Sequence, residues 1–222
     1  MVRASSRRQP AALRVLHVGV EIFPLVKTGG LADVLGALPA ALAQAGADAR
    51  VLLPALPPLR AAMRDAHVVA QVELPWGGEP AELLRGHFDV PALARQPAYL
   101  LRHDALYARS GTPYGDGSGK GFADNHRRFA LLGLAAARLA EGLDPAWLPQ
   151  LVQGHDWHAG LAAAYLAFSR AAGRSHAASV FTVHNLAYQG LFAAPLFAEL
   201  GLPAEAYTQH GVEFHHQLSF MK

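Results

Sequence analysis

This chain of 222 residues contains no cysteine, so disulfides, thiolate nucleophiles and Cys-ligated zinc or iron–sulfur centres are excluded. Histidine and carboxylates are the ligands that remain. Charge is also scarce. Only 16% of residues are charged, and 19 Lys+Arg stand against 17 Asp+Glu for a net charge of +2. A balance so close to zero offers no electrostatic footprint for nucleic acid or for an anionic membrane surface. No stretch approaches the roughly 18 uninterrupted apolar residues of a membrane span, and the first dozen residues lack the apolar segment of a secretory signal. The expectation is a cytoplasmic protein with no membrane and no nucleic-acid partner. Met1 to Ala12 carries Arg3, Arg7 and Arg8, two serines and no acid. It reads as a disordered basic tail rather than an organellar transit peptide, which places the folded part at 13–222.

Apolar residues, at 52%, are abundant enough for a large core. Leu13 to Val20 is a mostly aliphatic run that reads as a buried parallel strand. A helix from about Leu31 to Ala45 follows, with Leu31, Val34, Leu35, Leu38 and Leu42 at helical spacing and a stop at Gly46. Arg50 to Leu53 gives a second strand. Strand, helix and strand with short connections describe a right-handed βαβ unit, hence an α/β, Rossmann-like, doubly wound parallel sheet. Val68 to Leu74, Glu82 to Phe88 and Ala98 to Leu101 are candidate strands of a β-rich insertion. Ser110 to Gly121 reads as a flexible glycine-rich surface loop. The alternation then resumes with a helix over Asp124–Ala140, a strand at Leu151–Gln153, a helix over His158–Ala172 and a strand at Ser179–Val183. Short helices are expected at Leu196–Leu200 and Pro203–Tyr207, and a last one over Val212–Met221. There is no internal repeat and no domain linker.

Three polar clusters fall where strands end, at the sheet edge on which open α/β folds bind ligands. Lys27-Thr28-Gly29-Gly30-Leu31 lies between the first strand and first helix. Its glycines allow close backbone approach, the helix start favours an anion and Lys27 adds a mobile cation, so a phosphate fits. The plainer alternative is a turn with a solvated lysine. The spacing is neither a dinucleotide fingerprint nor a Walker loop, and Gly115–Gly121 fails the Walker pattern as well. In His155-Asp156-Trp157-His158, a carboxylate beside an indole suits carbohydrate recognition, with Asp156 as a helix cap the alternative. His155 and His158 lack a clear third ligand for a metal. In the third cluster, Thr182 to Gly190, His184 and Asn185 can each donate or accept hydrogen bonds to a polar substrate.

Glu21-Ile22-Phe23-Pro24-Leu25-Val26-Lys27-Thr28-Gly29-Gly30-Leu31-Ala32-Asp33-Val34 resembles the N-terminal signature of bacterial glycogen synthases and plant starch synthases. His155 to Gly160 and Phe181 to Gly190 look like two further motifs of that family, in the expected order. Tyr107-Ala108-Arg109, Pro113-Tyr114, Asp124-Asn125 and Arg128-Phe129-Ala130 look like its central segment. The resemblance runs from about Arg14 to Lys222. It implies a retaining hexosyltransferase of the GT-B fold that moves glucose from ADP-glucose to the non-reducing end of an α-1,4-glucan without a metal or other cofactor. Carried over by motif, His184 and Asp156 are the catalytic candidates. Lys27, Thr28, Gly29, Gly30, Tyr107, Trp157 and Asn185 are the substrate-binding ones. Lys27 and the glycine turn would lie at the nucleotide-sugar phosphates, His184 beside the transferred glucose, and Asp156 and Tyr107 toward the glucose or acceptor. Val20 and the glycine-rich loop depart from the family pattern without touching those roles. The resemblance also implies a second Rossmann-like domain, absent from this sequence, that holds half of the active site, so the chain is expected to be inactive by itself. The alternatives are a non-catalytic glucan-binding module or another GT-B sugar transferase, the latter disfavoured by the Lys-Thr-Gly-Gly-Leu run.

Overall fold

The computed structural model describes residues 11–93 and 95–222, so Met1–Pro10 of the expected basic tail lie outside the described residues. In chain order the elements are β1 (Arg14–Val18), α1 (Gly30–Gln44), β2 (Asp48–Pro54), α2 (Pro57–Ala62), β3 (Met63–Val72), β4 (Ala81–Phe88), β5 (Gln96–Arg102) and α3 (Asp104–Tyr107). They continue with α4 (Asn125–Ala140), β6 (Leu151–His155), α5 (Trp157–Ala171), β7 (Ala178–Thr182), β8 (Leu191–Ala193), β9 (Glu213–Phe214) and β10 (Gln217–Ser219).

The main sheet has seven strands in the order β3-β4-β5-β2-β1-β6-β7. From β5 to β7 the strands are parallel. The fold class is therefore the expected α/β one. The β-rich stretch is not set apart from it: β5 adds in parallel beside β2, and β4 and β3 extend the same sheet as an antiparallel flank. Position in the sheet explains burial along each strand. β1 lies between β2 and β6, and its Val15, Leu16, His17 and Val18 are all buried, as a central parallel strand covered on both faces requires. β7 has β6 on one side only, and Val180 is left 43% exposed although its run is as apolar as that of β1.

Helices cover the sheet with their apolar sides. Helix α1 starts at Gly30 with Gly29 as its N-cap, buries Leu31, Ala32, Leu35 and Pro39, and ends where Gly46 takes φ 94°. Helix α4 is buried along most of its length and packs on α5. At their crossing Gly133 is required by space, because a Cβ there would come within 2.8 Å of the Ala162 nitrogen.

The last expected helix is not one. Residues 213–219 form the strands β9 and β10, which join β8 in a small antiparallel sheet. Two residues between them, His215 and His216, have φ 48° and 64°, values that break a helix and close a tight turn. Past the turn Gln217 is exposed while Leu218, Ser219 and Phe220 are all buried, so burial along this segment shows neither a helical period nor a strict alternation. The segments near 196 and 205 are short 3-10 turns, Ala194–Glu199 and Ala204–Ala206. Among the described residues no helix is long and apolar enough to cross a membrane.

Strand order decides where a ligand can sit. From β1 the chain moves outward to β2 and then, after the flank is built, back across to β6 on the other side. The connections leaving the carboxyl ends of β1 and β6 therefore diverge, opening a crevice at the switch point.

Candidate functional site

A cleft of about 740 Å³ opens at that crevice, within the range of small-molecule sites. The segment after β1 supplies Glu21 and Thr28 to Leu31, the end of β6 supplies Asp156, Trp157 and His158, and the segment after β7 supplies His184, Asn185 and Tyr188. The three polar clusters thus meet in one place.

The floor is organised by Glu21, whose carboxylate is buried just past β1. Its Oε2 accepts the N–H of Thr28 at 2.6 Å and of Gly29 at 3.3 Å, and its Oε1 accepts the Thr28 hydroxyl at 2.5 Å. The Tyr114 hydroxyl donates to the same Oε1. The expected anion site is altered by this. The amides of Thr28 and Gly29 already hold an internal carboxylate, and a ligand anion is left with the N–H groups of Gly30 and Leu31. Those belong to the first turn of α1, have no intrahelical acceptor, and line the cleft. Lys27 does not line it. Its Nζ sits 2.7 Å from both carboxylate oxygens of Asp33 and 5.4 Å from the Phe23 ring centre, with the side chain about half exposed. An exposed pair of this kind contributes at most about 1 kcal/mol, so it restrains Lys27 only weakly.

Asp156 is neither a simple helix cap nor an uncommitted carboxylate. It precedes α5, yet its side chain makes no cap bond, and Ala159 N–H bonds its backbone carbonyl at 2.9 Å instead. Its Oδ1 accepts the N–H of His184 at 2.6 Å and of Asn185 at 3.2 Å, tying the end of β6 to the segment after β7. Holding that geometry puts Asp156 at φ 57°, a costly value for a residue with a Cβ, and strain of this type collects at functional sites. Asn185 uses its own side chain in a local turn, accepting from Ala187 N–H at 2.9 Å. Trp157 lines the cleft beside Phe129, which it meets edge-on at 4.9 Å, and Gly190 faces its ring. That glycine has φ 62°, and an added Cβ would collide with the indole.

The histidines form a column. The His17 ring contacts His155 with Nδ1 to Nε2 at 3.4 Å, and His155 contacts His184 with Nδ1 to Nε2 at 3.0 Å. Both nitrogens of His155 are therefore taken up by other histidines. His158 stacks against Tyr114 with ring centres 5.1 Å apart. Burial pushes His17 and His158 down to about 4 and His155 down to about 3, the last helped by its histidine neighbours. All three are neutral near pH 7. Burial, and then the charge of Glu21, pushes the Tyr114 hydroxyl well above its ordinary range, so it stays protonated as a donor.

Tyr107, which the resemblance puts toward the glucose or acceptor, is buried under α4, where its hydroxyl donates to the Arg128 carbonyl at 2.7 Å, and it is not among the residues that line the cleft. Its neighbour Arg128 is buried as well and bonds the carbonyls of Leu106 and Pro113 and the side chain of Asn125. This anchors the segment leading to Tyr114. The glycine-rich loop is consequently no mere surface loop, since it carries Tyr114 into the site. Glu21 and Tyr114 both stand in the family motifs, but the motifs by themselves assign neither side chain a role. An acid directly after a buried apolar strand was the available signal for the first; for Tyr114 the glycines around it masked one.

A family model described as "Starch synthase catalytic domain" matches residues 14–222. Over 211 residues the chain is 56% identical to a glycogen synthase of Variovorax paradoxus, covering 95% of this chain and 43% of that protein. A glycogen synthase of Yersinia enterocolitica is 52% identical over 210 residues, with 95% and 42% covered. The chain thus spans a little over two fifths of the length of these relatives. Among solved structures, the catalytic domain of starch synthase IV from Arabidopsis thaliana, bound to ADP and acarbose, superposes with a TM-score of 0.75 at 24% identity. It covers 94% of this chain and 42% of that one.

Proposed function

This chain belongs to the starch synthase catalytic-domain family, and from that premise we propose that residues 13–222 form the N-terminal half of a glucosyltransferase. The reaction is transfer of glucose from ADP-glucose to the non-reducing end of an α-1,4-glucan with retention, as in glycogen synthesis in the cytoplasm. The observation that carries this reading is the meeting of three separate segments, after β1, β6 and β7, in one cleft at the switch point.

The chemistry such a cleft can perform follows from its donors. The N–H groups of Gly30 and Leu31 and the positive end of α1 are set to receive a phosphate oxygen of the departing diphosphate. Lys27, on its weak pair with Asp33, can swing across to add a cation. His184 stands on the opposite wall, held by Asp156 through its backbone and by His155 through its ring. There it can hydrogen-bond a hydroxyl of the transferred sugar, while Trp157 offers an apolar face. Donors fixed in advance stabilise charge that develops as the glycosidic bond to the diphosphate lengthens. A second Rossmann-like domain would supply the remaining contacts. The choice of ADP follows the family resemblance and suits the neighbour described with ADP bound.

The test is a chimera in which residues 14–222 replace the matching part of the Variovorax glycogen synthase. Glucose transfer from ADP-glucose to glycogen is expected, with UDP-glucose a poorer donor. A folded chimera that transfers no glucose would refute the reading. If the 222-residue chain nevertheless binds an amylose column, the non-catalytic glucan-binding alternative takes its place.

A further inference from the structure

The histidine column admits a hydrogen count. Three rings meet through two nitrogen–nitrogen contacts, and each contact holds one hydrogen. The closer pair is set for it. Ring centres 5.3 Å apart at 22° with nitrogens at 3.0 Å describe two imidazoles meeting edge to edge in nearly one plane. The inner link, at 3.4 Å and 37°, is looser.

His17 and His155 are fully buried, and burial keeps both neutral, so each carries one N–H and one lone pair. The column therefore has a single direction. If the hydrogens point inward, His17 must carry its proton on Nε2, which is buried without a partner among the described residues. That leaves an N–H donor stripped of water with nothing to receive it, the rarest kind of unpaired group. If they point outward, the unpaired atom is a bare lone pair, His17 donates to His155, and His155 donates from Nδ1 to Nε2 of His184. The last proton of the column then sits on Nδ1 of His184. That atom has no protein partner among the described residues and belongs to a ring that lines the cleft.

We infer that His155, backed by His17, is a positioning residue that holds His184 in the Nδ1-protonated tautomer, so that the ring offers the cleft a donor and not a base. The ligand group this suits is a hydroxyl or other neutral oxygen with a lone pair to spare. On the proposed glucosyl-transfer reading, which this inference deepens, His184 donates to a sugar hydroxyl and takes no proton from it.

The tautomer can be read directly on the 222-residue chain with 15N-labelled histidine, from long-range proton–nitrogen correlations at pH 7.5, the His184 signals being identified by their loss in His184→Gln. Nδ1 is expected protonated and Nε2 unprotonated. In His155→Phe, which keeps a ring in the slot but no nitrogen, His184 should swing to the Nε2–H form that free imidazole side chains favour in water. In His155→Asn, whose amide N–H can stand where Nδ1 stood, the Nδ1–H form should return. An Nε2-protonated His184 in the unaltered chain overturns the inference, as does a His184 that ignores the change to Phe. If His155→Phe does not fold, the unaltered chain and the Asn variant still decide the matter. None of these readings uses glucose transfer, so an inactive chimera would sink the proposed function and leave the tautomer assignment standing.

Discussion

Asp144 and Asp156 are both buried aspartates, yet the two flanks of the sheet use them in opposite ways. Asp144, behind the antiparallel flank, accepts the Tyr99 hydroxyl at 2.7 Å, the Ala146 N–H at 2.9 Å and the Arg85 guanidinium at 2.9 Å. Burial alone would raise its carboxyl, but those bonds and the arginine's charge hold it below the usual carboxylate range. Both of its oxygens are engaged. Asp156, at the rim of the parallel flank, commits Oδ1 to two backbone N–H groups, has no cation paired with it among the described residues, and holds a strained φ. The difference teaches how to separate structural from functional polarity in this molecule. A saturated, charge-paired carboxylate stabilises, whereas a buried one left partly unpaired beside a cleft is available to a ligand.

The sharpest way to break that comparison is to remove one group from each flank. In the chimera, His184→Ala should cut glucose transfer by roughly two to three orders of magnitude, the scale for losing one fixed donor, with the melting temperature little changed. Asp144→Ala should do the reverse. Stripping the partner from Arg85 and Tyr99 should cost on the order of 2–3 kcal/mol, discounted because Arg85 is partly exposed, and transfer measured well below the melting point should hold. Equal losses of activity in both variants would erase the distinction.

Acid should expose the difference next. His17, His155 and His158 lie at about 4, 3 and 4 in the folded chain against 6.5 when free. Below pH 6.5 the unfolded chain therefore binds more protons, and the stability these rings allow, complete above 6.5, is lost as the pH falls toward 4. Away from the rim, Glu199 is held at about 2, first by its bond to Arg127 and then by that to His126. Its contribution is complete above 4.5 and fades only between 4.5 and 2. The melting temperature should accordingly start to drop between pH 6.5 and 5, with His158→Phe flattening part of the drop. A midpoint constant from pH 8 to 5 would contradict the burial of the column.

The smallest effect sharpens the account of the rim itself. Lys27→Ala removes an exposed ion pair, so stability should fall by no more than about 1 kcal/mol. The KM for ADP-glucose in the chimera should nonetheless rise about tenfold, the scale of one weakened phosphate contact. An unchanged KM would leave Lys27 as a surface residue only.

Much of the fold could be read from local pattern. The runs Leu13–Val20 and Leu31–Ala45 announced β1 and α1 because apolar spacing reflects one element's own geometry. The final segment misled because a few apolar residues near the end of the chain fit either period, and the two left-handed histidines that decide for a turn carry no strong local signature. Tyr107 and Tyr114 show the same limit within the site. Both are tyrosines in one motif-bearing segment, but Arg128 fastens the carbonyls around them so that the first is sealed under α4 and the second reaches Glu21.

By itself the sequence determined the alternation of strands and helices, the three polar clusters at strand ends and the family they match, since each is written in contiguous residues. Only the tertiary structure decided which of those polar groups remain open. Glu21 meets Tyr114 across 93 positions of chain and His17 meets His155 across 138. A hydrogen bond has one donor and one acceptor wherever they lie in sequence, and the packing of strands and loops, not spacing, chooses which pairs come within hydrogen-bonding distance.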